Sequence, residues 1–330
     1  MSDIKNFGRH KFSKEKNISF KTPHVFLLGA GASKAALPNG DANGKEIPLM
    51  KDLPRVCELY EIDSHINQTS DFESYYSNLK DEQLKNQLSV RIREYFSDLK
   101  LPEHVTIYDY LVLSLRGKDM IATFNWDPFL YQACQRNHKV AEMPHVAYLH
   151  GSVAVGYCFK DRTKGPVGYP CSKCGILFSE PKLLYPVKEK SYSDDPAIKT
   201  EWLDLQNFLK HAYIFTIFGY SAPKTDVEAI KLLKEGWGNP QKRNLEEIEL
   251  INILKAEELS KNWSDFIHTH HYGVIKSFFE SWSFIHPRRT CEAMWETLME
   301  CNPYPNTSPP KTKSLKELQN WFKTKFIQYE

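Results

Sequence analysis

The stretch that decides the fold is Val25-Phe26-Leu27-Leu28-Gly29-Ala30-Gly31-Ala32-Ser33. A short apolar strand ends in a glycine-rich turn, and the pattern predicts a helix after the turn. Glycine adopts backbone angles that residues with a Cβ avoid, so Gly29 and Gly31 permit close approach to the backbone. The turn therefore either binds a diphosphate, with the helix N-terminus facing the anion, or is only a tight strand-to-helix connection.

Further apolar runs repeat this pattern of a short strand followed by a polar loop. The predicted strands cover residues 24–28, 120–123, 146–149, 213–218 and 248–253, the last with a helical alternative because its start is glutamate-rich. Continuous apolar runs are typical of buried parallel strands. Between the strands, Leu84, Leu88 and Ile92 fall on one helical face, and Thr225-Asp226 can cap another helix. The alternation predicts an α/β fold with a Rossmann-like parallel sheet and helices on both faces.

We divide the chain into three parts. They are a polar N-terminal segment (1–22), a sheet domain (23–300) and a C-terminal part (301–330) with a proline-rich linker and an amphipathic helix. Two inserts interrupt the sheet domain: a mostly helical one at about 45–117 and a loop-rich one with a CxxC motif at about 156–200.

The last helix starts with the capping box Ser314-x-x-Glu317. Its apolar face either folds back onto the sheet domain or docks on a partner.

The composition is that of an ordinary globular protein. The 330 residues are 41% hydrophobic and 25% charged, with 43 Lys and Arg against 41 Asp and Glu. The near-neutral balance gives no reason to expect direct nucleic-acid binding. No apolar run is long enough to cross a bilayer, and residues 1–21 lack the apolar core of a secretory signal. Seven cysteines fit a reducing compartment better than a disulfide scaffold, so we expect a cytoplasmic protein.

Polar residues follow three more of the predicted strands. The loops begin Asn125-Trp126-Asp127, His150-Gly151-Ser152 and Gly219-Tyr220-Ser221. Each loop alone has a structural explanation, namely a turn with a helix cap, a hydrogen-bonded histidine and a strand-breaking glycine. Ligands of open α/β sheets bind at the carboxyl ends of the strands, so their joint occurrence there indicates one site.

Four motifs at these strand ends together resemble the sirtuin superfamily. They are Gly29-Ala30-Gly31-Ala32-Ser33, Thr123-Phe124-Asn125-Trp126-Asp127, Leu149-His150-Gly151 and Gly219-Tyr220-Ser221. The similarity is closest to the divergent bacterial branch, the sirtuin-like NAD hydrolases of antiphage defence systems, and it spans residues 24–253.

The resemblance implies a role for each matching residue. Asn125 would orient the nicotinamide ribose or the attacking water, Asp127 would stabilise that loop, and His150 would contact the ribose hydroxyls as general base. The other implied NAD-binding residues are Gly29, Ala30, Gly31, Ala32 and Ser33 at the pyrophosphate, Phe124 beside Asn125, Gly219, Tyr220 and Ser221 on the adenosine side, and Asn252 near the adenine ribose.

The residue types suit cleavage of the bond between nicotinamide and ribose. The pyridinium is already a good leaving group, so the reaction needs no strong acid, and an unperturbed imidazole titrates near 6.5, which suits His150 as a base. Phe124 and Trp126 stand where deacylating sirtuins carry Gln and Ile or Val, which favours water over an acyl-lysine as acceptor. The alternatives are a protein deacylase or ADP-ribosyltransferase, and a non-catalytic NAD or ADP-ribose sensor.

The CxxC motif is Cys171-Ser172-Lys173-Cys174. With Cys158 as a candidate third ligand it resembles part of a structural zinc site, which needs four ligands. No second CxxC follows, and two alternatives stay open, a zinc site and reduced cysteines without a metal.

The resemblance also implies control of the enzyme, because uncontrolled NAD depletion would kill the cell, as in abortive infection. We expect a homo-oligomer, a regulatory partner such as a hexameric ATPase or an Argonaute-type sensor, or both. The C-terminal helix and its linker are the candidate contact.

Overall fold

The computed structural model describes residues 21–68, 72–185, 192, 194–222 and 226–326. Nearly all of the predicted N-terminal segment, and Thr225 of the predicted helix cap, lie outside these residues.

The strands form one large sheet and one hairpin. The strands are β1 His24–Leu28, β2 Met120–Thr123, β3 His145–Tyr148, β4 Val155–Cys158, β5 Thr163–Pro166, β6 Ile214–Phe218, β7 Glu247–Ile251 and β8 Tyr272–Ile275. Six of them pair in parallel in the order β3-β2-β1-β6-β7-β8, and β4 pairs with β5 antiparallel. The predicted α/β class with a parallel sheet is confirmed.

Twelve α-helices lie in the part of the chain that the structure describes. They are α1 Ala30–Ala36, α2 Leu53–Val56, α3 Phe72–Asn78, α4 Glu82–Ser97, α5 Ile107–Ser114, α6 Phe129–Asn137, α7 Pro196–His211, α8 Val227–Trp237, α9 Ala256–Asn262, α10 Trp282–Ile285, α11 Thr290–Met294 and α12 Leu315–Phe326. Short 3-10 helices cover Met50–Asp52, Leu59–Glu61, Ser64–Gln68, Pro240–Lys242 and Phe278–Glu280, and a π-helical turn covers Trp295–Met299. None of the described helices is both long and apolar enough to span a membrane.

The sheet separates two hydrophobic cores because strand side chains alternate between its faces. Phe26 and Leu28 of β1 enter the core that contains α4, α5, α6 and α12, whereas Val25 and Leu27 enter the core that contains α7, α8 and α9. All four side chains have no solvent exposure. Both faces are therefore covered by helices, which explains why the strand is apolar throughout.

Three of the predicted strands differ from the structure by one or two residues at one or both ends. The strand predicted at 248–253 ends at Ile251, and Ile253 is 88% exposed, because the chain turns away from the sheet at Asn252. The edge strand β8 was missed: it has four half-buried residues, includes Gly273, and therefore lacks a continuous apolar run.

The CxxC insert contains more regular structure than its sequence indicates. The hairpin of β4 and β5 crosses its first part, and a bridge between Tyr157 and Ser179 brings the following turn back onto that hairpin. Lys164 of β5 joins this lobe to the large sheet, with Nζ 2.9 Å from Oε1 of the buried Glu201 on α7.

The apolar face of α12 packs into its own chain. Leu318, Phe322 and Phe326 are buried in the core around α4, α5 and α6. Gln319 Nε2 also donates to the carbonyl of Arg136 at 2.9 Å, at the end of α6. The prediction that this helix folds back is confirmed, and the alternative that its apolar face docks on a partner is wrong, because that face is already covered.

Candidate active site

The glycine loops after β1 and β6 cross where the strand order reverses. Gly29 N–H donates to the Phe218 carbonyl at 2.9 Å, and Gly31 N–H donates to the Gly219 carbonyl at 3.1 Å. A Cβ on Gly31 would lie 2.8 Å from the Cα of Gly219, and one on Gly219, where φ is +67°, would lie 2.2 Å from the backbone nitrogen of Ala32. The close crossing of the two loops therefore explains why glycine occupies these positions, independently of any phosphate binding.

Asn125 lies directly beyond the end of β2 and is fixed to the first glycine loop. Its Nδ2 donates to the carbonyl of Gly29 at 2.9 Å and to Oγ of Ser33 at 2.8 Å. Every described hydrogen bond of this side chain uses Nδ2, and Oδ1 has no partner among the described residues. The carboxamide is therefore held in one orientation.

Ser33 connects Asn125 to a buried carboxylate. Its Oγ donates to Oδ2 of Asp127 at 2.6 Å and lies 2.7 Å from Oη of Tyr108 on α5. Because the serine proton goes to the carboxylate, the tyrosine and Asn125 are the donors to Ser33. The hydroxyl that we predicted at the pyrophosphate is thus used inside this cluster.

Asp127 accepts hydrogen bonds from Ser33 and from the start of α6. Its Oδ1 accepts the Phe129 N–H at 3.2 Å at the start of α6. Burial raises the pKa of Asp127 from 3.8 to about 6, and the hydrogen bonds from Ser33 and Phe129 oppose this shift. The two donors thus favour the charged carboxylate against the effect of burial.

His150 lies two residues beyond β3 and is only 8% exposed. Its Nε2 is 2.9 Å from Oη of Tyr192, and the two rings stack with centroids 5.6 Å apart. Phe124 lies with its ring centroid 4.6 Å from His150 and 4.6 Å from Tyr220. Phe124 thus joins the histidine to the loop after β6.

The remaining predicted residues lie at the same edge of the sheet with other contacts. Tyr220 donates its hydroxyl to Oδ2 of Asp226 at 3.0 Å, and the Ser221 carbonyl accepts from Asn262. Asn252 follows β7, and its Oδ1 accepts the backbone N–H of residue 254 at 3.1 Å. No described contact joins Asn252 to Asn125 or His150.

Two tyrosines of the site were not predicted from the sequence. Tyr108 lies in the helical insert, where an aromatic residue is expected in the core, and Tyr192 lies in the insert predicted to be mostly loop. Asp226 was predicted as a helix cap. It does occupy the N-cap position of α8, but its carboxylate makes no capping hydrogen bond and accepts from Tyr192 and Tyr220 instead. These contacts join segments that are distant in sequence, so the local sequence pattern could not predict them.

A second cluster lies in the CxxC lobe. The ligand atoms of Cys158, Asp161, Cys171 and Cys174 all lie within 4.8 Å of one another. Sγ of Cys158 is 3.5 Å from Sγ of Cys174, and Sγ of Cys171 is 3.3 Å from Oδ2 of Asp161. Three thiolates and one carboxylate form a donor set that suits tetrahedral zinc. Asp161 is thus the candidate fourth ligand that the sequence left unnamed.

We expect the purified protein to contain about one zinc ion per chain, because a closed structural site needs four such ligands. Exchanging Cys171 and Cys174 for serine together should remove the zinc, whereas Cys301→Ser, at an exposed cysteine outside the cluster, should retain it. Elemental analysis by mass spectrometry measures this. A metal-free wild-type protein, purified without chelator, would contradict the zinc site.

Comparison with models of known protein families gave no match, and comparison with curated protein sequences gave none either. The solved structures that are similar to the chain include Sir2 proteins. A Sir2 homologue mutant with ADP-ribose is 17% identical over 69% of this chain and 79% of its own, with a TM-score of 0.36. A Sir2 with an inhibitor, 2′-O-acetyl-ADP-ribose and a deacetylated peptide is 13% identical over 84% and 94%, with a TM-score of 0.37. A Sir2 homologue with NAD is 15% identical over 84% and 88%, with a TM-score of 0.34. At these sequence identities and TM-scores, the similarities do not assign a function to this chain.

Proposed function

We propose that this chain hydrolyses NAD to nicotinamide and ADP-ribose with a sirtuin-like site. The observation that supports this best is the position of Asn125 and His150. They lie beyond the carboxyl ends of the neighbouring strands β2 and β3, beside the crossing of the two glycine loops. This crossing marks the reversal of strand order, where open α/β sheets bind nucleotides.

The proposed reaction breaks the bond between ribose C1′ and the nicotinamide nitrogen. The bonding electron pair neutralises the pyridinium ring, an oxygen of water bonds to C1′, and the water proton passes to a base or to solvent. His150, near the ribose hydroxyls, accepts a proton during this step. Asn125 presents Oδ1 to the ribose or to the water, because its Nδ2 is held by Gly29 and Ser33.

Aromatic packing supports water as the acceptor. Phe124 contacts both His150 and Tyr220, and Trp126 packs against Phe96 of α4 with ring centroids 5.4 Å apart. Both side chains are 7% exposed. Phe124 fills space beside His150, and a small acceptor such as water suits that space better than an acylated lysine side chain.

We further propose that NAD depletion serves antiphage defence and that assembly or a regulatory partner controls it. This part rests on the motif resemblance. The apolar face of α12 is buried in its own chain, so the proposed contact is the proline-rich linker and the polar face of this helix.

The test is incubation of the purified protein with NAD and chromatography of the products, with and without the product of the neighbouring gene. We expect nicotinamide and ADP-ribose in equal amounts without any acylated peptide. Nicotinamide release only with an acylated peptide would indicate a deacylase, and only with a protein acceptor an ADP-ribosyltransferase. Tight NAD binding without turnover under both conditions would indicate a sensor.

A further inference from the structure

Three buried side chains, those of His150, Tyr192 and Asp226, form a hydrogen-bonded string. Tyr192 Oη is 2.9 Å from Nε2 of His150, and the same hydroxyl donates to Oδ1 of Asp226 at 3.1 Å. Tyr192 is 2% exposed and Asp226 is 5% exposed. The three residues come from three separate segments, the loop after β3, the chain before α7 and the N-cap of α8.

The direction of the protons along this string follows from the groups. A carboxylate only accepts, so the phenolic hydrogen of Tyr192 lies toward Asp226, and the phenolic oxygen must accept from His150. Nε2 of His150 therefore carries a hydrogen, and its lone pair in the neutral ring is on Nδ1. Burial raises the pKa of the Tyr192 phenol, which keeps it protonated and able to donate.

We propose that Tyr192 and Asp226 are positioning residues that fix the tautomer of His150 and stabilise its protonated form through the phenol. This rests on the proposed function, because it assigns how the proposed base is oriented. When the imidazole accepts a proton, its Nε2–H donates more strongly to Tyr192, and the Asp226 carboxylate at the end of the string opposes the new positive charge.

The surroundings of the string strengthen this assignment. The ring of Tyr192 packs against Trp202 with centroids 4.7 Å apart, and Leu184 belongs to the same core, so the phenol has a fixed place. Tyr220 donates to the other carboxylate oxygen of Asp226. Among the described residues, Glu228 of α8 acts on the phenol of Tyr192 and Glu73 of α3 acts on the phenol of Tyr220, and both groups are negative.

The first experiment does not depend on activity. Nitrogen-15 NMR of histidine-labelled protein reports which ring nitrogen of His150 carries hydrogen, with His150→Gln used to assign the signal. We expect hydrogen on Nε2 in the wild-type protein at the pH where the ring is neutral, and a mixture of tautomers in Tyr192→Phe. Hydrogen on Nδ1 in the wild-type protein would overturn the proposal even if NAD is cleaved.

The second experiment uses the rate of NAD cleavage. We expect Tyr192→Phe to lower kcat about 10- to 100-fold, because it removes the acceptor of the hydrogen bond from the charged imidazolium. Asp226→Asn should lower kcat by no more than this, because the carboxylate acts on His150 through the phenol. KM should change less than kcat, the acid limb of the pH–rate profile should move to lower pH in Asp226→Asn, and Asp226→Glu should recover part of the rate.

Tyr110→Phe is the matched control, because this tyrosine is also buried and hydrogen-bonded but contacts the linker carbonyl of Pro310. It should leave kcat and the pH profile unchanged. Wild-type kcat, pH profile and tautomer in both Tyr192→Phe and Asp226→Asn would overturn the proposal. Absence of NAD cleavage by the wild-type protein would instead contradict the proposed function, and the NMR result would still decide the orientation of His150.

Discussion

His150→Ala is expected to lower the rate of NAD cleavage by about 10²- to 10⁴-fold, the usual contribution of a general base. The alanine also removes the ring between Phe124 and Tyr192, which would leave a small void beside the two aromatic side chains. His150→Gln keeps most of that volume and should lose a similar factor. Chromatographic measurement of nicotinamide release gives both rates.

The matched control for this result is His104→Ala, at a histidine outside the candidate site whose carbonyl accepts from Arg136. It should cleave NAD at the wild-type rate. Circular dichroism should show the same secondary structure in all three variants. Turnover by folded His150→Ala at the wild-type rate would reject the proposed base, and with it the proposed site.

Gly219→Ala is expected to lower the free energy of unfolding by about 2–5 kcal/mol. A residue with a Cβ in the left-handed region costs about 1–2 kcal/mol, and forced overlap with a packed neighbour costs about 1–3 kcal/mol more. The overlap is with backbone rather than with a flexible side chain, since the new Cβ would lie 2.2 Å from the nitrogen of Ala32. Denaturant unfolding monitored by tryptophan fluorescence measures the loss.

Gly44→Ala separates the cost of backbone strain from the cost of steric overlap. This glycine also has a positive φ, +79°, but a Cβ there would meet no atom within 4 Å. We expect a loss of only about 1–2 kcal/mol, from backbone conformation alone. Equal losses in the two variants would show that the loop crossing at Gly219 tolerates a methyl group, contrary to the close packing described here.

The sequence allowed most of the sheet to be predicted because its central strands are buried on both faces. The bounds of β1 and β2 agree with the prediction, since both are unbroken apolar runs that end at a turn. The edge strand β8 lacks that signal. In β7 the buried Glu249 accepts from Thr216 at 2.9 Å, so a polar residue in a core position made the helical alternative plausible.

The candidate site was predictable as far as it follows strand ends. Asn125 and His150 lie there, and their roles remain predictions. Tyr192 and Asp226 could not be assigned from local pattern, because their meaning depends on a contact between segments 34 residues apart. The same holds for Asp161, whose closeness to three cysteines depends on how the hairpin of β4 and β5 folds.

The packing of α12 has a consequence for the order in which parts of the protein can fold during synthesis. The core that contains α5 and α6 also contains Leu318 and Phe322, and α5 carries Tyr108 of the Asn125 cluster. During synthesis the ribosome releases the sheet and the proposed catalytic residues well before α12. Until α12 has emerged, the core beneath the candidate site therefore lacks Leu318 and Phe322.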